Sequence, residues 1–247
     1  SVRKAKGSTT GFFMRKTFAA AFSIWSTCFA LVTPAMADGP VVVELYTSQG
    51  CSSCPPADEM LHALAARSDV IALALHVDYW DYIGWADSFA DPAHTVRQQR
   101  YAHVAGASSI YTPQMIIGGA DHVVGTKPMD VANLIQAHNA RPTGTRLVLQ
   151  RSGDRLQITG QTSRPWRSGT IVQLVLYSPQ ETVYIRRGEN AGRSLSYVNI
   201  VTDWRSVGEW SGGGDLNMTV NISGGGPLVV IIQEPGPGAI MASAVLR

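Results

Sequence analysis

Val41-Val42-Val43-Glu44-Leu45-Tyr46-Thr47-Ser48-Gln49-Gly50-Cys51-Ser52-Ser53-Cys54-Pro55-Pro56-Ala57-Asp58 is the stretch that orders the rest of the chain. Residues 41–46 form a short apolar run of β-favouring side chains, which predicts a buried strand. Residues 47–53 predict a loop, and residues 55–67 a helix with Met60, Leu61, Leu64 and Ala65 on one face. Two cysteines at C-x-x-C spacing therefore fall between a strand and a helix. The thiolate is the reactive form of cysteine, and a helix start stabilises it with unpaired N–H donors and the positive end of the dipole. Cys51 is expected to be the more exposed, attacking thiol, and Cys54, one turn further in, the resolving thiol. Pro55 is tolerated because first-turn amides lack intrahelical partners. Asp58 and Glu59 are read as acidic residues suited to that helix end.

Outward from this stretch the pattern keeps alternating. Residues 70–77 predict a second buried strand, residues 78–91 an aromatic, acidic loop, and residues 92–105 a polar helix. Residues 114–117 and 121–124 predict a hairpin turned by Gly118 and Gly119, and residues 129–140 a closing helix. The order βαβαββα predicts an α/β unit with a central sheet over residues 38–141. After Arg141-Pro142-Thr143-Gly144 the texture changes to about eight short strands separated by Gly and Pro, which predicts an all-β, sandwich-like region over residues 145–247.

The start of the chain reads as an address. Met14, basic Arg15 and Lys16, the uncharged apolar residues 17–32 and Ala35-Met36-Ala37 have the pattern of a signal peptide cleaved before Asp38. The apolar run is shorter than the roughly 20 residues that span a bilayer, so no stable membrane insertion is expected after cleavage. Residues 1–13 lie upstream of that start and carry no functional reading. Of 20 basic and 18 acidic residues, residues 1–37 hold five basic and no acidic ones, leaving 15 basic against 18 acidic. A slightly acidic mature chain is a poor nucleic-acid binder. Cys28 falls in the same segment, so the three cysteines become two, in a protein expected in the periplasm or outside the cell.

In an oxidising compartment a lone C-x-x-C has three readings. A redox dithiol is favoured. A soft-metal clip, with Cu(I) as the fitting ion, has only two thiols and scattered histidines such as His62 and His76 to draw on. A structural bridge over so short a loop restrains the unfolded chain very little.

Residues 44–58, with His76-Val77-Asp78-Tyr79-Trp80-Asp81 and Tyr111-Thr112-Pro113, resemble thioredoxin-fold proteins. More narrowly they are similar to a family of secreted bacterial proteins known as a domain of unknown function. The resemblance runs over about residues 41–247 and takes in Arg187-Gly188-Glu189-Asn190-Ala191-Gly192-Arg193. It implies a thioredoxin-like domain, a central mixed sheet flanked by helices, at residues 38–141. It also implies that Pro113 is the cis-proline opposite the dithiol and that Thr112 beside it pairs with a substrate strand. Ser52 and Ser53 stand where thioredoxin has Gly and Pro, which leaves the direction of electron flow open. The stretch from Cys54 to Pro113 is longer than in minimal thioredoxins, with the excess in residues 79–91.

Glu44 is the candidate proton relay for Cys54 if it is buried, and a solvent-facing strand residue if it is not. His76, Asp78 and Asp81 are expected on the same rim. Tyr79, Trp80, Tyr82 and Trp85 are candidates for a lip that holds a peptide partner or packs the β region. Arg186, Arg187, Glu189, Asn190 and Arg193 read as solvated surface or a domain contact. The function expected is an exported thiol:disulfide oxidoreductase acting on protein thiols or disulfides without an organic cofactor. The alternative is an exported carrier of Cu(I) or a protein-binding module.

Overall fold

Strands β1 (Val41–Thr47) and β2 (Val70–His76) are mostly apolar and buried almost throughout, the pattern that a parallel pair covered on both faces requires. They pair in parallel from Val41↔Val70 to Thr47↔His76. In this computed structural model, which describes residues 1, 2, 4, 6, 7, 39–166 and 169–247, they form the middle of a mixed sheet. The signal peptide expected over residues 14–37 and Cys28 lie outside the described residues.

Helix α1 (Pro55–Ala65) follows β1, and α2 (Pro92–Val104) lies between β2 and the antiparallel pair β3 (Gln114–Ile117) and β4 (Asp121–Val124). Helix α3 (Pro128–Asn139) closes this section. Alternation splits the sheet's residues between two cores. Val43, Leu45, Ala72, Ala74, Met115 and Ile117 pack with Leu61, Leu64 and Ile135 of α1 and α3. Val42, Tyr46, Ile71, Leu73 and Ile116 pack with Tyr101 of α2 on the other face.

The C-terminal section continues this sheet. Strands β7 (Thr170–Tyr184), β8 (Ser194–Trp210), β10 (Leu228–Gln233) and β11 (Ile240–Leu246) extend it to eight strands in the order β11-β10-β7-β8-β2-β1-β3-β4. Strands β5 (Thr145–Ser152), β6 (Arg155–Thr162) and β9 (Leu216–Asn221) form a second, three-stranded sheet. It packs over the first through Leu156 and Ile158 against Val172, Leu174, Leu228 and Val230. The sandwich expected over residues 145–247 thus shares one layer with the α/β section. The reason is the exposed edge of β2, whose N–H and C=O groups need partners. Ile200 of β8 pairs with Ala74, and the Asn199 amide donates to the Ala72 carbonyl at 2.8 Å. Strand β7 runs unbroken through Pro179 even though that residue lacks a ladder N–H; Asn199, in the left-handed region at φ 48°, faces it.

Beyond residue 178, β7 and β8 leave the sheet as a long hairpin arm whose start on β8 runs alongside α1. Its tip, residues 185–193, returns to the dithiol. Among the described residues no helix is long and apolar enough to cross a membrane.

Candidate functional site

Cys51 and Cys54 are joined in a disulfide with Cα atoms 5.4 Å apart, at the point where the loop after β1 turns into α1. Cys54 is the residue before the first helical turn, and Pro55 and Pro56 follow it where no amide donor is missed. Its carbonyl accepts from the N–H groups of Ala57 and Asp58. Ser52 and Ser53 are exposed, but both cysteines are buried, Cys51 at 1% and Cys54 at 0%. The greater exposure expected of Cys51 is therefore not present in the disulfide form.

The loop is buried because it is gripped from two sides. From the segment after β2, Asp87 accepts from the Gln49 N–H at 2.7 Å, Trp85 donates to the Gln49 side chain at 2.8 Å, and that side chain donates to Ser88 at 3.0 Å. From the tip of the β7–β8 arm, the Asn190 amide donates to the carbonyls of Gln49 and Cys51 at 2.9 and 3.0 Å. Glu189 accepts from the Ser52 N–H at 3.2 Å, and Arg193 holds the Asn190 oxygen at 2.8 Å. Gly50 passes so close to Trp80 and Ile83 that a Cβ there would meet both at 3.2 Å.

Thr112 and Pro113 are joined by a cis peptide bond just before β3, whose Gln114 pairs with Tyr46 at the dithiol end of β1. A Cβ placed on Gly125 would lie 3.1 Å from Pro113 and 3.0 Å from Ala57 in the first turn of α1, so Gly125 sits between the proline and the dithiol helix. The Trp80 indole donates to the Thr112 hydroxyl at 2.7 Å. Tyr79 donates to Gln98 at 3.1 Å, and Gln98 donates to the Tyr111 carbonyl and the Gln114 side chain, both at 2.8 Å. Tyr82, exposed, stacks on Trp80, and Tyr111 is exposed beside Thr112. Of the residues expected at the site, Cys51, Cys54, Thr112, Pro113 and Trp80 thus come together, and Tyr79 braces them through Gln98.

Glu44 does not join them. It is fully buried on the α2 face, where it takes two hydrogen bonds from Arg97 at 2.7 and 2.8 Å, one from Tyr101 at 2.7 Å and one from Tyr46 at 3.0 Å. Arg97 in turn lies 3.8 Å over the Trp204 ring. With every lone pair engaged by an ion pair and two phenols, this carboxylate has no capacity to move a proton for Cys54.

The carboxyl that does lie behind Cys54 is Asp58, four residues on and so on the same helix face. It is buried at 6% and accepts one hydrogen bond, from Thr47 at 2.8 Å. Its other oxygen has no partner among the described residues. Burial pushes Asp58 up to about 7, against weaker pulls downward from His76 and Thr47. It borders a groove of about 540 Å³ lined also by Ser52, Pro55, Glu59 and Arg193. The signal was available in the sequence: Asp58 lies three residues before Leu61, inside the apolar stripe of α1. Asp78 and Asp81 serve the loop, accepting from Thr95 and from the Asp87 N–H. Among the described residues no group of three or more His, Cys, Asp or Glu is placed to hold a metal ion.

A C-x-x-C disulfide at a helix start, held by loops from both halves of one mixed sheet, defines the class: this is a dithiol protein of the C-x-x-C type. Within that class the chain belongs to the family described as "Protein of unknown function (DUF1223)", which matches residues 42–233. It is similar to a crystal structure of an Agrobacterium tumefaciens protein, with 32% identity, a TM-score of 0.74, and 85% of this chain and 94% of that one covered. It is also similar in fold to HBP35 of Porphyromonas gingivalis, with 13% identity, a TM-score of 0.59, and 85% and 75% covered. No curated protein matches the chain.

Proposed function

We propose that this chain is an exported thiol:disulfide oxidoreductase that uses Cys51 and Cys54 on protein thiols or disulfides, on a thioredoxin-like scaffold. The observation that carries the reading is the Cys51–Cys54 disulfide at the first turn of α1, on the sheet rim where Thr112, Pro113 and Trp80 meet. Export rests on the signal-peptide pattern of residues 14–37.

In the reducing direction the Cys51 thiolate attacks a partner disulfide, forming a mixed disulfide and releasing one partner sulfur as thiolate. The Cys54 thiol gives its proton to the Asp58 carboxylate and attacks Cys51 Sγ. The Cys51–Cys54 bond forms and the second partner sulfur leaves with the bonding pair. The partner gains two electrons, the dithiol loses two, and the two thiol protons end on the partner sulfurs. The reverse sequence oxidises a partner dithiol. A carboxyl pushed up to about 7 suits this transfer near neutral pH. The exposed Tyr82 and Tyr111, flanking Trp80 and Thr112, supply the apolar ground on which an extended peptide would rest.

Cys54→Ser should trap partners on Cys51 in the native compartment as adducts released by dithiothreitol. Absence of such adducts, with a reduction potential below about −300 mV in glutathione buffers, would mark the bridge as structural.

A further inference from the structure

Asp58 belongs to a larger buried group. Thr47 and His76 are register partners on adjacent strands, so their side chains rise next to each other on the α1 face, where Thr47 holds Asp58. His76 brings a carboxylate of its own: Nδ1 lies 2.7 Å from Asp87 Oδ2, and both side chains are completely buried. The same Asp87 oxygen takes the Gln49 N–H, two residues before Cys51. The Tyr197 ring of β8 stands edge-on to the imidazole with centroids 4.8 Å apart.

Three polar atoms of this group, Asp58 Oδ2, His76 Nε2 and the Tyr197 hydroxyl, are buried without a hydrogen-bond partner among the described residues. Each such atom is costly to bury unpaired, which a purely structural cluster would avoid. A group that must gain and lose a proton needs such free positions.

We propose that His76 and Asp87 are positioning residues for the resolving step: the Asp87–His76 pair governs whether Asp58 is charged, and hence when Cys54 gives up its proton. The inference rests on the dithiol reading above. The bond from Gln49 to Asp87 ties this control to the conformation of the dithiol loop. The groups facing Asp58 are Thr47 from β1, His76 from β2, His62 from its own helix, Asp87 from the segment after β2, and Tyr197 and Arg193 from the β7–β8 arm. Burial raises Asp58 most, and His76 is the strongest influence in the opposite direction. Removing the imidazole therefore moves Asp58 further up.

The test uses the full chain with Cys28→Ser, fully reduced and mixed with one equivalent of 5,5′-dithiobis(2-nitrobenzoate). The first thionitrobenzoate released reports attack by Cys51, and the second reports attack by Cys54 on the mixed disulfide. His76→Asn, whose amide still reaches Asp87, should leave the first release unchanged. It should raise the pH midpoint of the second by about one unit, a roughly tenfold slowing near pH 6 that vanishes near pH 9. Asp58→Asn should abolish that midpoint and make His76→Asn silent in its background. Superimposable profiles for His76→Asn and the parent, or an equal shift without Asp58, would overturn the proposal. A parent chain with no second release would instead bring down the dithiol reading itself. Should His76→Asn fail to fold, the Asp58 carboxyl carbon and the His76 ring are titrated in the reduced parent by NMR. Each must register the other's step, and independent curves would overturn the proposal.

Discussion

Glu44 and Asp58 are both buried carboxyls beside the same strand, on opposite faces of one sheet, and their surroundings could hardly differ more. Glu44 receives four hydrogen bonds, two of them from a guanidinium that is itself stacked on Trp204. Asp58 receives one, from a threonine, and keeps an oxygen free. Burial alone therefore says nothing about chemistry. The saturated carboxylate stitches β1 to α2 and, through Arg97, to the C-terminal strands; the starved one keeps an oxygen without a partner. A place in a strand expected to be buried pointed to the first, whereas helical spacing from Cys54 places the second.

The widest gap should come from removing a charge at each site. Glu44→Gln leaves the Arg97 guanidinium buried without its counter-charge and should cost about 3–5 kcal/mol in denaturant unfolding of the oxidised chain. A loss under about 1 kcal/mol would mean that Tyr101, Gln173 and Gln233 suffice for Arg97, and the contrast would collapse.

Asp58→Asn should do the opposite. Because the folded Asp58 carboxyl lies near 7 and the unfolded one near 4, the native state holds a proton there that the unfolded state has released. Stability therefore falls as pH rises from about 4 to about 7 and then levels off. Asn cannot lose that proton and still accepts from Thr47. The variant should match the parent near pH 4 and exceed it near pH 8 by on the order of 4 kcal/mol. Equal stability at both pH values would mean that Asp58 is hydrated and ordinary.

Much of this was legible from local pattern. The strand, loop and helix around Cys51 and Cys54, and the order βαβαββα, follow from periodicity and from Gly and Pro, and the structure has those elements. What was not legible depends on partners far along the chain. Arg97 reaches Glu44 across 53 positions, and Asn190 reaches Cys51 across 139. Neither residue differs by type from any surface arginine or asparagine. The joining of β8 to β2 was hidden for the same reason, since an unpaired strand edge leaves no mark in side-chain alternation. Asp58 is the instructive middle case: an acidic residue in a first helical turn reads as solvent-facing unless its place in the apolar stripe is given more weight than its charge.

Asn190 offers the finest cut, because it touches the dithiol loop without touching either carboxyl. Its amide satisfies the Gln49 and Cys51 carbonyls from a position 1% exposed, so Asn190→Ala leaves two buried acceptors short of a donor, at about 1–2 kcal/mol. It also loosens the tip that helps keep Cys51 at 1% exposure. Reduction of the disulfide by glutathione, followed by alkylation and mass, should accelerate by about tenfold if that loosening is worth about 1.4 kcal/mol. The pH midpoint of the resolving step should stay where it is, since Thr47, His76 and Asp87 still frame Asp58. A variant that loses stability without gaining reactivity would mean that the arm merely braces the loop and that Cys51 is shielded from the Trp80 side. A variant whose midpoint moves would mean that the arm, through Tyr197 and Arg193, belongs to the proton-handling group as well.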